Sequence, residues 1–267
     1  MRFASCMAPN AEIFFVETTN YLADRLGIDA SIAHDAEWEF RERDLDAGSI
    51  EVGWICGLPY VWKADLPSPG INLLAAPVMR AERYADQAVY FSDVMVRADS
   101  DFHQFSDLRG ARWAYNEPRS HSGSNIVKAF LFDLDEKDGY FGSASMAGSH
   151  EGAIEMILDG SVDGAAIDTT VYETRLRSEP ELGQNLRSVA SLGPSPMPPW
   201  VISTRVADEL RARLRDELTR MHLDQAGAET LSRHAVKRFD AVDDSFYDPI
   251  RVMDRKAQQV RLGDEAD

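Results

Sequence analysis

Twice in this chain a strand-like run passes through a short turn of small or polar residues straight into a helix. That succession restricts the fold to alternating α and β layers. In the first case "RFASCM" (2–7) ends before Pro9 and Asn10 stands where it can cap the helix "AEIFFVETTNYLADRLG". Phe14, Tyr21 and Leu22 of that helix share a core-facing side, and Gly27 can end it. In the second, "ARWAY" (111–115) leads through "NEPRSHSGSN" into the apolar helix "IVKAFLFDL". A further helix, "SHEGAIEMILDG", is capped by Ser149, stopped by Gly160 and followed by the buried strand "VDGAAID" (162–168).

The remaining segments fit the same α/β grammar. "DASIAHDAE" (29–37) is a weak strand and "EFRERDLDAG" a charged helix, while "IEVGWICGLPYVW" (50–62) reads as a buried strand emptying into a Gly-Pro turn. "INLLAAPVM" (71–79), "QAVYFSDVMVRA" (87–98) and "LRSVASL" (186–192) are strands, and "PSPMPPW" (194–200) is a stiff proline loop. Beyond it the chain reads as mostly helix, with Leu210, Leu214, Leu218 and Met221 on one stripe. The second α/β unit interrupts strands belonging to the first. Two lobes are therefore expected, 1–96 with 191–267 and 97–190, joined by crossing segments near 96 and 190, with ligand between them at the carboxyl ends of the strands.

The charge balance narrows the function. Against 45 acidic side chains stand 28 basic ones, a net charge of -17, which repels nucleic acid phosphates and anionic membrane surfaces. No apolar run reaches 18 residues and "MRFASCMAPN" lacks the pattern of a secretory leader, so the chain as written is expected in the cytoplasm, or in the periplasm if a leader has been trimmed. Cys6 and Cys56 read as free thiols at the carboxyl ends of neighbouring strands, with no spacing for a metal. There is no P-loop lysine, no G-x-G-x-x-G after a strand and no G-x-S-x-G elbow, so no cofactor is expected.

The turn at 120–123 is where chemistry concentrates. A helix start offers unbonded N–H groups and a partial positive charge, so small residues there let backbone donors approach an anion. Ser120 and Ser122 add hydroxyls, Gly123 permits close approach, and His121 can donate a hydrogen bond or, if protonated, a charge. The same residues also suit a polar loop with a serine N-cap. From these residues alone both readings stand.

Several motifs share a family resemblance. "FSDLRGARWAYNEPRSHSGSNIVKAFL", "MAGSHEGAIEMILDGSVDGAAIDTTVYE" (146–173), "VGWICGLPYVW", "RFASCMAPN" and "SFYDPIR" are similar, in order and spacing, to segments of the phosphonate, phosphite and phosphate binding proteins of ABC transporters. The resemblance implies the two-lobed type 2 periplasmic binding protein fold, a small anionic ligand and an ABC transporter permease as partner. It implies ligand contacts from Ser120, His121 and Ser122, with Tyr60, His150 and Asp168, beside the close approach that Gly123 permits. His121 stands where the family has threonine, which admits a carboxylate or a larger ligand beside a phosphonate.

Other roles remain open for these residues. Asp168 suits a ligand amine or hydroxyl, or the cap of a helix over Thr169–Glu173, and His150 suits a ligand or the exposed first turn of its helix. Tyr60 with Trp54, Trp62 and Trp200 forms an aromatic wall or core packing. A cytoplasmic biosynthetic enzyme on the same fold, with His121 or His150 as base or nucleophile, is the alternative function, and a metabolite sensor a third. The sequence supplies no dedicated catalytic pair for the enzyme.

Overall fold

The computed structural model describes residues 1–34 and 37–263. In chain order it runs β1 (Arg2–Ser5), α1 (Glu12–Leu26), β2 (Ser31–Ile32), α2 (Trp38–Ala47), β3 (Val52–Trp54), α3 (Gly57–Ala64), β4 (Ile71–Met79) and β5 (Val89–Arg97). There follow β6 (Arg112–Tyr115), α4 (Ile126–Asp133), β7 (Ser143–Met146), α5 (His150–Leu158), β8 (Gly164–Asp168), α6 (Thr169–Ser178), α7 (Leu182–Asn185) and β9 (Leu186–Pro196). The chain ends with β10 (Trp200–Ser203), α8 (Asp208–Arg220), α9 (Gln225–Arg233), β11 (Val236–Asp240) and α10 (Asp248–Ala257).

The chain divides into two compact units, one of Met1–Val89 with Pro196–Asp248, the other of Tyr90–Ser195 with the segment from Pro249 on. The first holds a sheet of order β11-β4-β10-β3-β1-β2. Within it β1 pairs parallel with β2 and β3, whereas β10 and β11 run antiparallel to their neighbours. Gly27, at φ 63°, closes α1 as expected, because a left-handed residue there costs glycine little. Asn10 does not cap α1: a 3-10 turn over Pro9–Ala11 leads into the helix and no side chain caps it.

The sheet of the second unit has the order β7-β6-β8-β5-β9. Neighbouring strands are parallel at β6–β7 and β6–β8 and antiparallel at β5–β8. Both faces are covered. Val94, Trp113 and Ala166 pack on one side, and their chain neighbours Met95, Ala114, Ala165 and Ile167 on the other. Burial on both faces is why these strands read as unbroken apolar runs instead of alternating ones.

Several expectations are corrected here. The chain passes between units at 89/90 and 195/196, not near 96 and 190, because β5 pairs with β8 over Ser92–Val96 and lies beside β9 in the second sheet. The segment from Pro249 on belongs to the second unit instead of the first: Val260 and Leu262 enter its core and Arg261 N–H donates to the Lys137 carbonyl at 2.9 Å. "GLPYVW" opens α3 and is not a Gly-Pro turn, since proline in a first helical turn removes an N–H that has no helical partner. The region after the proline loop contains β10 and β11 besides helices. Of the weak strand over 29–37, Ser31–Ile32 is formed, and residues 35 and 36 lie outside the described residues.

Candidate functional site

Six of the seven residues singled out from the sequence come together in the second unit. β6, β7 and β8 are neighbours and mutually parallel, so the segments leaving their carboxyl ends lie side by side. The first segment carries residues 120–125, the second carries His150 at the start of α5, and the third begins at Asp168. Tyr60 belongs to the first unit.

Ser120 is the N-cap of a wide five-residue turn, His121–Asn125, that runs into α4; its Oγ accepts the Gly123 N–H at 3.1 Å. The width shows in the Asn125 N–H, which reaches back to the Ser120 carbonyl at 3.0 Å. Such π-turns recur at functional sites because they displace side chains from regular helical spacing. The cap reading of Ser120 is thus realised, and its hydroxyl proton stays available for donation. Gly123 is required by a close approach: a Cβ there would lie 1.9 Å from Asn116 Oδ1. Asn116, at the end of β6, has no sequence signal that marks it, because its contact depends on how strand and helix pack.

The side chain of Ser122 meets His150, Oγ to Nε2 at 2.7 Å, and His150 Nδ1 lies 3.4 Å from the Asp168 N–H. His150 is 5% exposed, so the first-turn surface reading is corrected. Burial pushes its pKa down to about 4, against a weaker opposing effect of the Ala166 carbonyl. His121 is fully buried, and burial alone pushes it down to about 3. Both imidazoles are therefore neutral at physiological pH, so of the two options for His121, a hydrogen bond or a charge, the charge is removed. Neither has the pKa near 7 that favours general-base work. The ring resonances of His121 and His150 are expected to stay fixed between pH 6 and 8 in a side-chain NMR titration; a midpoint in that range would overturn this assignment.

Asp168 caps α6. Its Oδ1 accepts from Thr170 N at 2.8 Å and from Thr170 Oγ1 at 2.7 Å. Burial raises its pKa to about 6 even though those bonds, and the Val171 N–H, favour the charged form. Tyr60 donates its hydroxyl to Asp244 Oδ1 at 2.7 Å, its ring lies 4.6 Å from that of Tyr247, and it lines a cleft of about 650 Å3 in the first unit with Asn72, Arg211 and Arg215. Trp54 and Trp200 stack at 6.0 Å inside the core, as the packing reading has it, whereas Trp62 is 38% exposed and that reading is corrected for it. Burial, with Glu42 adding to it, pushes the Cys6 thiol up to about 12, which leaves it unreactive.

The sequence profile of one family, described as ABC transporter, phosphonate, periplasmic substrate-binding protein, matches residues 10–247. The chain is 22% identical over 259 residues to the probable ABC transporter phosphite binding protein PhnD1 of Prochlorococcus marinus, covering 94% of this chain and 81% of the relative. A binding protein component of an ABC phosphonate transporter from Pseudomonas aeruginosa is similar in structure, with a TM-score of 0.83 at 17% identity over 97% of this chain and 86% of that one. The structure of PhnD1 from Prochlorococcus marinus in complex with methylphosphonate gives 0.82 at 18% identity, over 97% and 98%. The fold read from the sequence, that of type 2 periplasmic binding proteins, is the fold of these structures. Among the described residues, no helix is long and apolar enough to cross a membrane.

Proposed function

This chain belongs to the family of periplasmic substrate-binding proteins of phosphonate ABC transporters, and from that premise we propose that it captures a small phosphorus oxyanion, a phosphonate or phosphite, with the donors gathered around residues 120–123. The observation that carries this reading is the Ser122–His150 pair, set beside a serine-capped helix start where three parallel strands end. The donors are neutral: the hydroxyls of Ser120 and Ser122, an uncharged imidazole and first-turn N–H groups. Each hydrogen bond to a charged ligand contributes roughly 1.5–3 kcal/mol. Three or four approach the roughly 8 kcal/mol of micromolar binding before ordering costs are subtracted.

Asp168 sets the complementary requirement. A buried carboxylate accepts, so it favours a ligand that brings a proton on oxygen or nitrogen. The protein acts in the periplasm and passes its ligand to an ABC transporter permease.

Isothermal calorimetry with methylphosphonate, phosphite, phosphate and acetate tests the proposal. One of the phosphorus oxyanions should bind, and Ser122→Ala should weaken it at least about tenfold, the loss of one charge-assisted bond together with a stranded His150. Equal affinity in wild type and Ser122→Ala, or preference for acetate, would remove the site from consideration.

A further inference from the structure

His121 sits between the two proposed ligand serines, yet its ring is turned inward and occupied on both nitrogens. Asn125 Nδ2 donates to Nδ1 at 3.0 Å, which places the ring proton on Nε2, and that N–H donates to Ser195 Oγ at 2.9 Å. The edge of the ring meets Tyr90 at 6.4 Å between centroids. Tyr90 and Ser195 are the first and last residues of the continuous stretch that builds the second unit. One buried side chain thus touches the residue where the chain enters that unit and the residue where it leaves, while its backbone forms part of the helix start at 120–123. Ser195, like His121, is wholly buried, so neither partner of this bond can exchange it for water without cost. A threonine hydroxyl at the same position would end two bonds from Cα and fall short of Ser195.

We propose that His121 is a positioning residue: it leaves the ligand to its neighbours and ties the ligand turn to two of the three chain crossings of the second unit, those at Tyr90 and Ser195, principally through Ser195, so that occupancy of the turn and the conformation of those crossings are coupled. This rests on the reading of residues 120–123 as the ligand turn. The ring brings no charge to the turn: it spans a distance inside the unit and does not enlarge the ligand's contacts.

The test compares wild type with Ser195→Ala, His121→Ala, the double variant and His121→Gln, by calorimetry with methylphosphonate and phosphite and by thermal melting. Ser195→Ala should weaken ligand binding about fivefold although Ser195 is not among the proposed ligand contacts, and the double variant should lose no more than the larger single loss. Glutamine, which keeps a side-chain N–H near the Nε2 position, should restore most of the affinity lost in His121→Ala; a role limited to core filling would not discriminate in this way. Ser195→Ala removes one oxygen and carries the test by itself if His121→Ala fails to fold. Wild-type binding with unchanged affinity in Ser195→Ala, or additive losses in the double variant, overturns the coupling while leaving the ligand site intact. No binding of either ligand by wild type overturns the ligand site and the coupling with it.

Discussion

Alanine at position 123 is expected to lower the melting temperature by about 5–10 °C and to weaken ligand binding with it. The added methyl would lie 1.9 Å from Asn116 Oδ1, 2.6 Å from its Cγ and 3.3 Å from its backbone nitrogen. The amide must therefore move, and it has little room, since Asn116 is 9% exposed and sits at the end of a strand buried on both faces. Overpacking of this kind costs about 1–3 kcal/mol, and in chains of this size each kcal/mol moves the melting temperature by roughly 2–4 °C. The clash has a single identified partner, so relief is specific: Asn116→Ala in the Gly123→Ala background should recover most of the loss. Circular dichroism melts of the two singles and the double decide it. An unshifted Gly123→Ala melt, or a double variant worse than either single, would show that the approach of Asn116 does not define this turn.

Acid should destabilise the protein between pH 6.5 and 4, and the two buried imidazoles are the cause. In the unfolded chain a histidine takes up its proton near pH 6.5. In the folded protein burial delays this to about 4 for His150 and about 3 for His121. The unfolded state therefore binds more protons over that interval, and stability is complete above pH 6.5 and falls as pH drops. At about 1.4 kcal/mol per pH unit, each imidazole costs about 3 kcal/mol by pH 4.

Asp168 works in the opposite sense. Its pKa is raised to about 6, so the folded protein holds that proton first and regains about 2 kcal/mol as pH falls to 4. The net loss from the three groups is about 4 kcal/mol by pH 4. Urea titrations at pH 7, 5.5 and 4 measure it, and His121→Gln should flatten the profile by roughly half of the two imidazoles' combined contribution. Stability that holds level from pH 6.5 to 4.5 would refute the assignment of neutral buried rings.

Much of this architecture was legible in the order of residues because its determinants are local. Gly27 ends α1 by a backbone angle that needs no tertiary partner, Ser149 caps α5 through the Gly152 N–H three residues on, and "INLLAAPVM" coincides with β4. The helix start at residues 120–123 was visible for the same reason, as were Asp168's two options, of which the cap is a bond to a residue two positions away. Where the local signal was mixed, the reading failed. Pro59 suggested a turn although a helix's first turn accepts it, and "WVIS" after a run of prolines gave no sign that it would lie between β3 and β4.

By itself, then, the sequence determined the alternation of strands and helices, the family motifs and the residues that gather where three strands end. Only the tertiary structure decided the protonation and the partners of those residues. His121 is neutral because packing removes water from it, and its bond to Ser195 spans 74 positions, while Tyr60 meets Asp244 across 184. The entry of Leu262 into the second unit's core is of the same kind. Backbone preferences and caps act over a few residues, whereas desolvation and side-chain pairing depend on what the folded chain brings alongside, and no local pattern encodes that.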